Sequence, residues 1–360
     1  MPDVPTSNSS PQHLSKSAIS VPKALSCSPV AAPNDNRKAW RMMSWQKQLS
    51  GCLTSSADLC KALRVDLPDT TDNDFPVMVP DSFLARMQPE CPTDPLLRQV
   101  LTTIQESVSN DGFRSDPVGD TEAKKADGLL QKYHGRALLI TTGSCAVHCR
   151  YCFRREYPYQ AEPKTLKDWE PAFQKISADS TIREVILSGG DPLLLTDARL
   201  LQLISAIDSI PHVDRIRLHT RLPIVLPARI TTTLLDALAQ LRSQVIWVVH
   251  ANHANEIQDD CQQVLRSIVR SGFPVLNQAV LLKDINDNFE ALRDLCLSLV
   301  NIGVMPYYLH QLDRVTGAAH FEASVATGQK LIQQLKTVLP GYAVPKYVQE
   351  IPAQTSKTAL

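Results

Sequence analysis

Six segments typical of β-strands, each followed by a segment with helical spacing, constrain this chain more than any other feature. The strand-like segments lie at 136–142, 184–190, 215–220, 245–251, 275–282 and 304–312. Parallel strands need crossover connections, which are usually helices, so the alternation predicts an α/β fold with a parallel sheet. Six units are too few for a closed eight-stranded barrel, and an open, partial (β/α)6 TIM-like barrel is preferred over a doubly wound sheet. In either case the chemistry is expected at the carboxyl ends of the strands.

The rest of the chain divides into further regions. Residues 1–38 are rich in Ser, Pro and Asn and lack periodicity, which predicts a disordered leader. Residues 39–120 contain the helical patterns SWQKQLSGCL, SADLCKALRV, DSFLARM and DPLLRQVLTTIQES, the last with Asp94 as its N-cap. They predict an N-terminal helical region. The barrel is expected over 130–340, which leaves 341–360 as a C-terminal tail.

Charge and composition exclude several classes of function. Lys plus Arg and Asp plus Glu both total 37, so the formal net charge is zero, and we expect no binding to nucleic acid or to an anionic membrane. The chain has no run of 18 apolar residues that could span a membrane. Its N-terminus also lacks the pattern of a secretory signal. The nine cysteines are odd in number and unevenly spaced, which is typical of a reducing compartment. We therefore expect a cytoplasmic protein that acts on a small molecule or a specific protein.

Three cysteines follow the first barrel strand in the sequence SCAVHCRYCFRR. Cys145, Cys149 and Cys152 have the spacing C-x3-C-x2-C, which favours zinc or an iron–sulfur cluster. A structural zinc site needs four protein ligands, and no second cysteine pair follows, although His148 is a candidate fourth ligand. Three ligands around a four-iron cluster leave one iron open to bind a cosubstrate. The cluster is the preferred interpretation, and a zinc-stabilised binding module is the alternative.

A glycine turn follows the second barrel strand in the sequence SGGDPLL. Gly189 and Gly190 allow a ligand to approach the backbone closely, and their amides can receive a carboxylate or ammonium group with help from Asp191. On its own the turn is equally typical of a tight connection between a strand and a helix.

The cysteine spacing and the glycine turn together resemble the radical S-adenosylmethionine (SAM) superfamily. The resemblance implies that Cys145, Cys149 and Cys152 hold a [4Fe–4S] cluster, whose open iron binds the amino and carboxylate groups of SAM. It also implies that one electron, from a donor such as flavodoxin or ferredoxin, cleaves SAM to a 5′-deoxyadenosyl radical. The turn from Ser188 to Asp191 matches the one that contacts the SAM amino group.

The C-terminal sequence PKYVQEIPAQTSKTAL resembles that of lysine 2,3-aminomutases. There, Lys357 matches the lysine that binds pyridoxal 5′-phosphate (PLP) as a Schiff base, which makes 341–360 a PLP-binding tail that closes the barrel mouth. Arg136 matches a position that contacts the PLP phosphate, and a guanidinium suits phosphate because it donates two parallel bonds. His250 and Gln278 match further positions that contact the cofactor.

Substrate contacts are implied in the same way. Arg154 matches the residue that binds the α-carboxylate of lysine, and Asp313 and Glu350 match the acidic positions that receive its ε-ammonium group. Two carboxylates around one ammonium group give a sensible charge balance in a dry pocket.

Finer features resemble the branch of the family that supplies β-lysine to elongation factor P. These are the sequences DPLLRQVL, KYHGRALL, RLPIVLPARI and GVMPYYLHQLD, Glu350 where free-lysine enzymes usually have Asp, and the ending after SKTAL. This resemblance implies that the enzyme converts L-α-lysine into (R)-β-lysine, which a separate ligase attaches to the factor. The alternatives are a catabolic enzyme that makes (S)-β-lysine from free lysine and a radical SAM enzyme that does not use PLP.

Overall fold

The computed structural model describes residues 40–67, 70 and 75–360. The predicted disordered leader, 1–38, lies outside the described residues.

Helices and strands alternate through most of the described chain. The helices are α1 Trp45–Ser50, α2 Ser56–Leu63, α3 Asp81–Leu84, α4 Glu170–Ala178, α5 Asp197–Asp208, α6 Leu222–Val225, α7 Thr232–Ala239, α8 Asp259–Arg270, α9 Phe289–Val300 and α10 Val325–Val338. The strands are β1 Lys124–Ala126, β2 Leu129–Leu130, β3 Arg136–Thr142, β4 Glu184–Gly189, β5 Arg215–Thr220, β6 Gln244–Val249, β7 Val275–Val280, β8 Met305–His310, β9 Lys346–Gln349 and β10 Thr358–Ala359.

All of these strands form one sheet in the order β1 to β10. Neighbouring strands from β3 to β9 are parallel, whereas the two edges, β1–β2–β3 and β9–β10, are antiparallel. The six predicted strand–helix units are confirmed, and the sheet is that of a partial TIM-like barrel. Residues 341–360, predicted to be a tail, partly continue the sheet as β9 and β10. Strands this short carry too few residues to show a period of two.

Side chains on the central strands alternate between two environments, as the period of two in a strand requires. On β5, Ile216 and Leu218 belong to the main hydrophobic core, which includes side chains from the outer helices. Arg217 and His219, on the same strand, line an interior cavity instead. The outer side of the sheet therefore provides packing, and the inner side presents polar groups for chemistry.

The two edges of the sheet approach each other at the barrel mouth. Tyr133, between β2 and β3, donates a hydrogen bond of 2.5 Å to the carboxylate of Glu350, which directly follows β9. Lys132 Nζ lies 3.9 Å from the same carboxylate. Side chains rather than backbone pairing thus bridge the open side of the barrel, and the tail lies across its mouth.

The N-terminal region is only partly helical. Helices α1, α2 and α3 confirm three of the predicted segments, but the predicted helix over DPLLRQVLTTIQES is wrong: the chain forms two short 3-10 turns, Leu97–Gln99 and Ile104–Ser107. Asp94 still caps the first turn, since its carboxylate accepts the N–H groups of Leu96 and Leu97 at 2.9 and 2.8 Å. Burial of successive residues along this segment removes the polar face that a surface helix needs.

The structure bears on two expectations from the sequence: the lack of a membrane span and the state of the cysteines. In the described part of the chain, no helix is long and apolar enough to cross a membrane. Cys145, Cys149 and Cys152 carry free thiols.

Candidate active site

A cavity of about 310 Å³ lies at the carboxyl ends of the parallel strands. The predicted site residues that line it are Arg136, Cys145, Cys149, Cys152, Arg154, Ser188, Gly189, Gly190, Asp191, His250, Gln278, Asp313, Glu350 and Lys357. This set contains every site residue that the sequence predicted. The cysteine loop after β3 and the lysine of the tail therefore face the same space, although they lie at opposite ends of the sheet.

The cysteine loop is held by the N-terminal region. The Arg150 N–H donates to the carbonyl of Gln99 at 2.9 Å, and the Arg150 guanidinium donates from Nε to Glu106 at 2.8 Å and from Nη1 to the carbonyl of Phe75 at 2.6 Å. Arg150 is fully buried. The N-terminal region, including its 3-10 turns, thus holds the loop 145–152 in place from outside the barrel.

The three thiols suit a cluster rather than a single ion. A four-iron cluster is larger and takes each thiolate at a separate iron. Burial, and then the neighbouring Cys149 thiol, raise the pKa of Cys152 to about 11, and a bound cationic cluster would favour its ionised form. The three-thiol set therefore fits a cluster with one open iron.

His148 is turned away from the thiols. Its Nδ1 lies 2.7 Å from the carbonyl oxygen of Pro76, and its ring stacks on Phe75 with centroids 4.6 Å apart. The cavity lining does not include it. The zinc alternative therefore lacks the fourth ligand that the sequence offered for it, which favours the cluster.

The glycine turn packs against the cysteine loop, and two backbone amides of the turn bond to that side of the fold. The Gly190 N–H donates to the carbonyl of Thr142 at 2.6 Å, and the Asp191 N–H donates to the carbonyl of Ser144 at 2.8 Å. Of the two glycine amides expected to receive a ligand, that of Gly190 is therefore occupied within the fold. A Cβ on Gly190 would overlap the Ser144 carbonyl, so the glycine is required by the close approach of two backbone segments.

Asp191 lines the cavity, and its carboxylate is also bonded within the fold. It accepts hydrogen bonds from Thr220 Oγ1 and the Arg221 N–H, both at 2.7 Å, and from the Leu193 N–H at 3.1 Å. Burial raises the pKa of Asp191 to about 6 although these bonds oppose the shift. The side chain ties the end of β4 to the end of β5, and we regard it as a positioning residue.

Lys357 lies inside the barrel mouth, as the resemblance implied. It directly precedes β10, whose pairing with β9 holds this end of the chain in place. The Lys357 ammonium group donates to the carboxylate of Glu350, which also accepts the Tyr133 hydroxyl. Burial opposes ionisation of Glu350, but the charge of Lys357 holds the pKa of that carboxyl below its usual range.

Three neutral histidines from neighbouring strand ends line the cavity: His219 on β5, His250 after β6 and His310 on β8. Burial lowers the pKa of His250 to about 4 and holds the pKa values of the other two well below their usual range. The Nε2 atoms of His219 and His310 are buried without a hydrogen-bond partner. Buried polar atoms are normally paired, so these two imidazoles are available to a polar ligand.

The surroundings of Lys357 fit PLP. Arg136, at the start of β3, lies with its guanidinium 4.8 Å from the ring centre of Tyr133, and Gln278 is a buried residue of β7. Together with the unpartnered imidazoles, the cavity offers an amine for an aldehyde, a guanidinium for a phosphate and hydrogen-bonding groups for a polar ring. These are the groups that the chemistry of PLP requires.

Arg154 is buried in an ion pair that the sequence analysis missed. Its Nε donates to Asp120 at 2.6 Å, and its Nη1 donates to Ser188 Oγ at 3.2 Å. Lys132 Nζ lies 2.7 Å from the other oxygen of Asp120. Burial disfavours the Asp120 carboxylate, but the charges of Arg154 and Lys132 lower its pKa to about 2. The guanidinium is thereby oriented along the wall of the cavity.

Asp313 and Glu350, the two predicted acidic residues, have different electrostatic environments. Burial raises the pKa of Asp313 to about 7, although the charge of Lys357 opposes this. Glu350 is ionised and pairs with Lys357. Of these two side chains, Glu350 is therefore ionised near neutral pH, and Asp313 titrates there.

Several cavity residues were missed from the sequence: Asp120, Lys132, Tyr133, His219, Arg221 and His310. His219 and His310 could have been found, because both lie near the end of a predicted strand, on the side that the period of two assigns to the interior. Asp120 carried no such signal, since it lies in the turn-rich segment GFRSDPVGD.

Comparison with known proteins agrees with this geometry. The sequence profile of the Radical SAM superfamily matches residues 139–296, which include the cysteine loop and the glycine turn. The chain is 43% identical over 322 residues to L-lysine 2,3-aminomutase of Escherichia coli, covering 88% of this chain and 94% of that protein. This chain belongs to the radical SAM lysine 2,3-aminomutase family.

Two further relatives and one solved structure show lower identity. The L-lysine 2,3-aminomutase of Haemophilus influenzae is 39% identical, covering 88% of this chain and 95% of that protein. The protein of the same name from Clostridium subterminale is 34% identical, covering 77% of this chain and 66% of that protein. Among solved structures, Streptococcus suis SuiB aligns with a TM-score of 0.46 and 14% identity, covering 61% of this chain and 50% of that one.

Membership in this family makes the chain an enzyme of the isomerase class. The family's cofactors are a [4Fe–4S] cluster, SAM and PLP. The thiol set and the surroundings of Lys357 each fit one of them.

Proposed function

We propose that this enzyme converts L-α-lysine into (R)-β-lysine and supplies it for the post-translational modification of elongation factor P. The observation that carries the proposal is that Lys357 and the cysteines Cys145, Cys149 and Cys152 line one cavity. A PLP group on the lysine and a cluster on the thiols would share that space. Bound together, these cofactors and SAM supply a hydrogen-abstracting radical and a carrier for the migrating amino group.

In this proposal, Cys145, Cys149 and Cys152 hold the cluster, and Lys357 holds PLP. Arg136, His250 and Gln278 line the space around PLP, and the turn from Ser188 to Asp191 borders SAM. These roles come from the family resemblance, and the position of every one of these residues in the cavity wall supports them.

Arg154 is proposed to bind the α-carboxylate of lysine. Asp120 and Ser188 hold its guanidinium by Nε and Nη1, at 2.6 and 3.2 Å. The arginine therefore meets the substrate in a fixed orientation, and a fixed donor loses little side-chain entropy on binding.

Asp313 and Glu350 are proposed to receive the ε-ammonium group of lysine. In the structure, Glu350 already pairs with an ammonium group, that of Lys357. If Lys357 binds PLP, the Glu350 carboxylate is free to accept the substrate's ammonium group in its place. The longer side chain at 350, where free-lysine enzymes usually carry Asp, supports assignment to the branch that serves elongation factor P.

The proposed setting is the cytoplasm, with an electron donor such as flavodoxin or ferredoxin and a functional link to the ligase that attaches β-lysine to the factor. No nucleic acid or membrane partner is proposed. The balanced charge of the chain, 37 basic against 37 acidic residues, supports this part of the proposal.

The test is an anaerobic incubation of the full chain, reconstituted with iron, sulfide and PLP, with SAM, dithionite and L-lysine. Chiral chromatography should detect (R)-β-lysine. A product that is (S)-β-lysine would favour the catabolic enzyme instead, and cleavage of SAM without β-lysine or bound PLP would favour a radical SAM enzyme of another kind. Protein that binds zinc and no iron would leave only a zinc-stabilised binding module.

The link to elongation factor P needs a test in cells. Deletion of the gene for this protein should leave the factor without β-lysine, as measured by intact mass spectrometry of the factor. Added (R)-β-lysine should restore the modification, and a factor that stays modified after the deletion would contradict the link.

A further inference from the structure

A buried polar network ends on the sulfur of one predicted cluster ligand. Arg221, directly after β5, donates from Nη1 to Cys149 Sγ at 2.7 Å. Its Nη2 donates to Gln99 Oε1 at 2.7 Å and to Glu256 Oε2 at 2.9 Å. The arginine side chain is 7% exposed and the glutamate is fully buried, so water does not screen these charges.

The far side of the network is fixed by further hydrogen bonds. Glu256 Oε1 accepts the Asn252 N–H at 2.8 Å and Gln99 Nε2 at 3.1 Å. Asn252 Nδ2 in turn donates to the hydroxyl of Tyr151, within the cysteine loop, at 2.6 Å. The guanidinium is thus held from behind by two parts of the chain: the N-terminal region, through Gln99, and the segment after β6, through Glu256.

We infer that Arg221 is a positioning residue that raises the reduction potential of the cluster on Cys149, and that Glu256 limits this effect by balancing the charge of Arg221. The inference rests on the cluster-binding part of the proposed function and on no other part of it. Hydrogen bonds to cysteine sulfur and nearby charge are among the factors that set the potential of an iron–sulfur cluster.

The direction of each effect follows from charge. When the cluster goes from its 2+ to its 1+ state, it gains one electron from the reductant, and part of the added negative charge falls on the thiolate sulfurs. A guanidinium that donates to Cys149 stabilises that charge, so its removal should make the cluster harder to reduce. Removal of the negative charge at Glu256 should make the cluster easier to reduce.

Arg221→Gln and Glu256→Gln test the inference as a pair with opposite expected signs. Each full-length variant is reconstituted anaerobically with iron and sulfide and titrated with dithionite, without SAM, PLP or lysine, while the electron paramagnetic resonance signal of the reduced cluster is recorded. The midpoint potential should become more negative in Arg221→Gln and more positive in Glu256→Gln. Arg221→Lys, which keeps a charge and a donor, should lie between Arg221→Gln and the unaltered protein.

Arg217→Gln is the matched control. Arg217 lines the same cavity from β5 but is paired with Glu184, by bonds of 2.9 and 2.8 Å, and not with a cysteine. Its variant should shift the potential less than Arg221→Gln does.

The outcomes separate a tuning role from a purely structural one. If the substitutions only loosened the cluster pocket or let water into it, the midpoint potential would shift in the same direction in both Gln variants. That result would overturn the inference, and so would an unchanged potential in Arg221→Gln. If Arg221→Gln retains no iron, the result for Glu256→Gln decides. A more negative or an unchanged midpoint potential in Glu256→Gln would then overturn the inference. An unaltered protein that binds no iron and sulfide would instead refute the proposed function.

Discussion

At the scale of single residues, the buried pair of Arg154 and Asp120 controls the charge at one side of the cavity. Both side chains are almost fully buried, at 8% and 2% exposed, and Lys132 contacts the same carboxylate. Such a pair contributes little net stability compared with an apolar pair, but removal of one partner leaves a buried charge without compensation.

Asp120→Asn should therefore lower the free energy of unfolding by about 3–5 kcal/mol. Urea denaturation of the cofactor-free protein, followed by circular dichroism, measures this change. Asp127→Asn is the control, because Asp127 pairs with Lys124 at 3.0 Å while 70% exposed and should change the stability by only about 0–1 kcal/mol. Equal effects of the two substitutions would contradict the role given to Asp120.

A second prediction at this scale concerns pH. Burial raises the pKa of Asp313 to about 7, and Lys357, Glu350, Lys132 and Asp120 are the charged groups around it. A raised carboxyl pKa means that Asp313 is protonated below about pH 7 and ionised above it. Because only the ionised form attracts an ammonium group, kcat/KM for lysine should rise roughly tenfold per pH unit below pH 7 and then level off.

The pH profile of Asp313→Asn tests this assignment. The variant should have a lower kcat/KM at pH 8 and should lack the rise near pH 7, whatever its maximal rate. A variant that keeps the rise would place the titrating group elsewhere.

At the scale of elements, the contact between the glycine turn and the cysteine loop positions the site. Gly190→Ala would drive a Cβ into the Ser144 carbonyl, one residue before Cys145, so the loop must shift. We expect the variant to fold but to retain less than about half of the iron of the unaltered protein after reconstitution, since ligand geometry within ~0.2 Å matters for metal sites.

Gly341→Ala is the control for this substitution. No atom lies within 4 Å of a Cβ added at Gly341, so its iron content should equal that of the unaltered protein. Normal iron in Gly190→Ala would show that the loop tolerates the displacement and that the contact does not position the site.

The elements also show why the barrel could be predicted from the sequence and part of the N-terminal region could not. Long strands and helices with clear periods, such as β5 and α8, were predicted because packing on one side imposes the pattern. The segment after Asp94 was wrongly predicted as a helix, because its successive residues 99–102 are all buried and leave no polar face. The paired amides of Gly190 and Asp191 could not be foreseen, since their carbonyl partners lie at the end of β3 and in the loop that follows it.

At the scale of the whole molecule, the fold brings the two ends of the sheet together. Strand β3 carries the cysteine loop into the cavity, and strands β9 and β10 return the tail across the mouth, where Glu350 contacts Tyr133. The sequence could predict which residues belong to the site through the family resemblance. It could not predict Asp120, Arg221 or Glu256, because their partners come from distant segments that only the folded barrel brings into contact.

The central claim is that one cavity holds a cluster on the cysteines and PLP on Lys357. The most direct test is cofactor content and β-lysine formation in Cys149→Ala and Lys357→Ala, measured as iron, as the visible absorption of lysine-bound PLP, and by chiral chromatography. We predict that Cys149→Ala keeps the PLP absorption but makes no β-lysine, and that Lys357→Ala keeps its iron but loses that absorption. β-Lysine formation by Cys149→Ala, or unchanged PLP absorption in Lys357→Ala, would contradict the account.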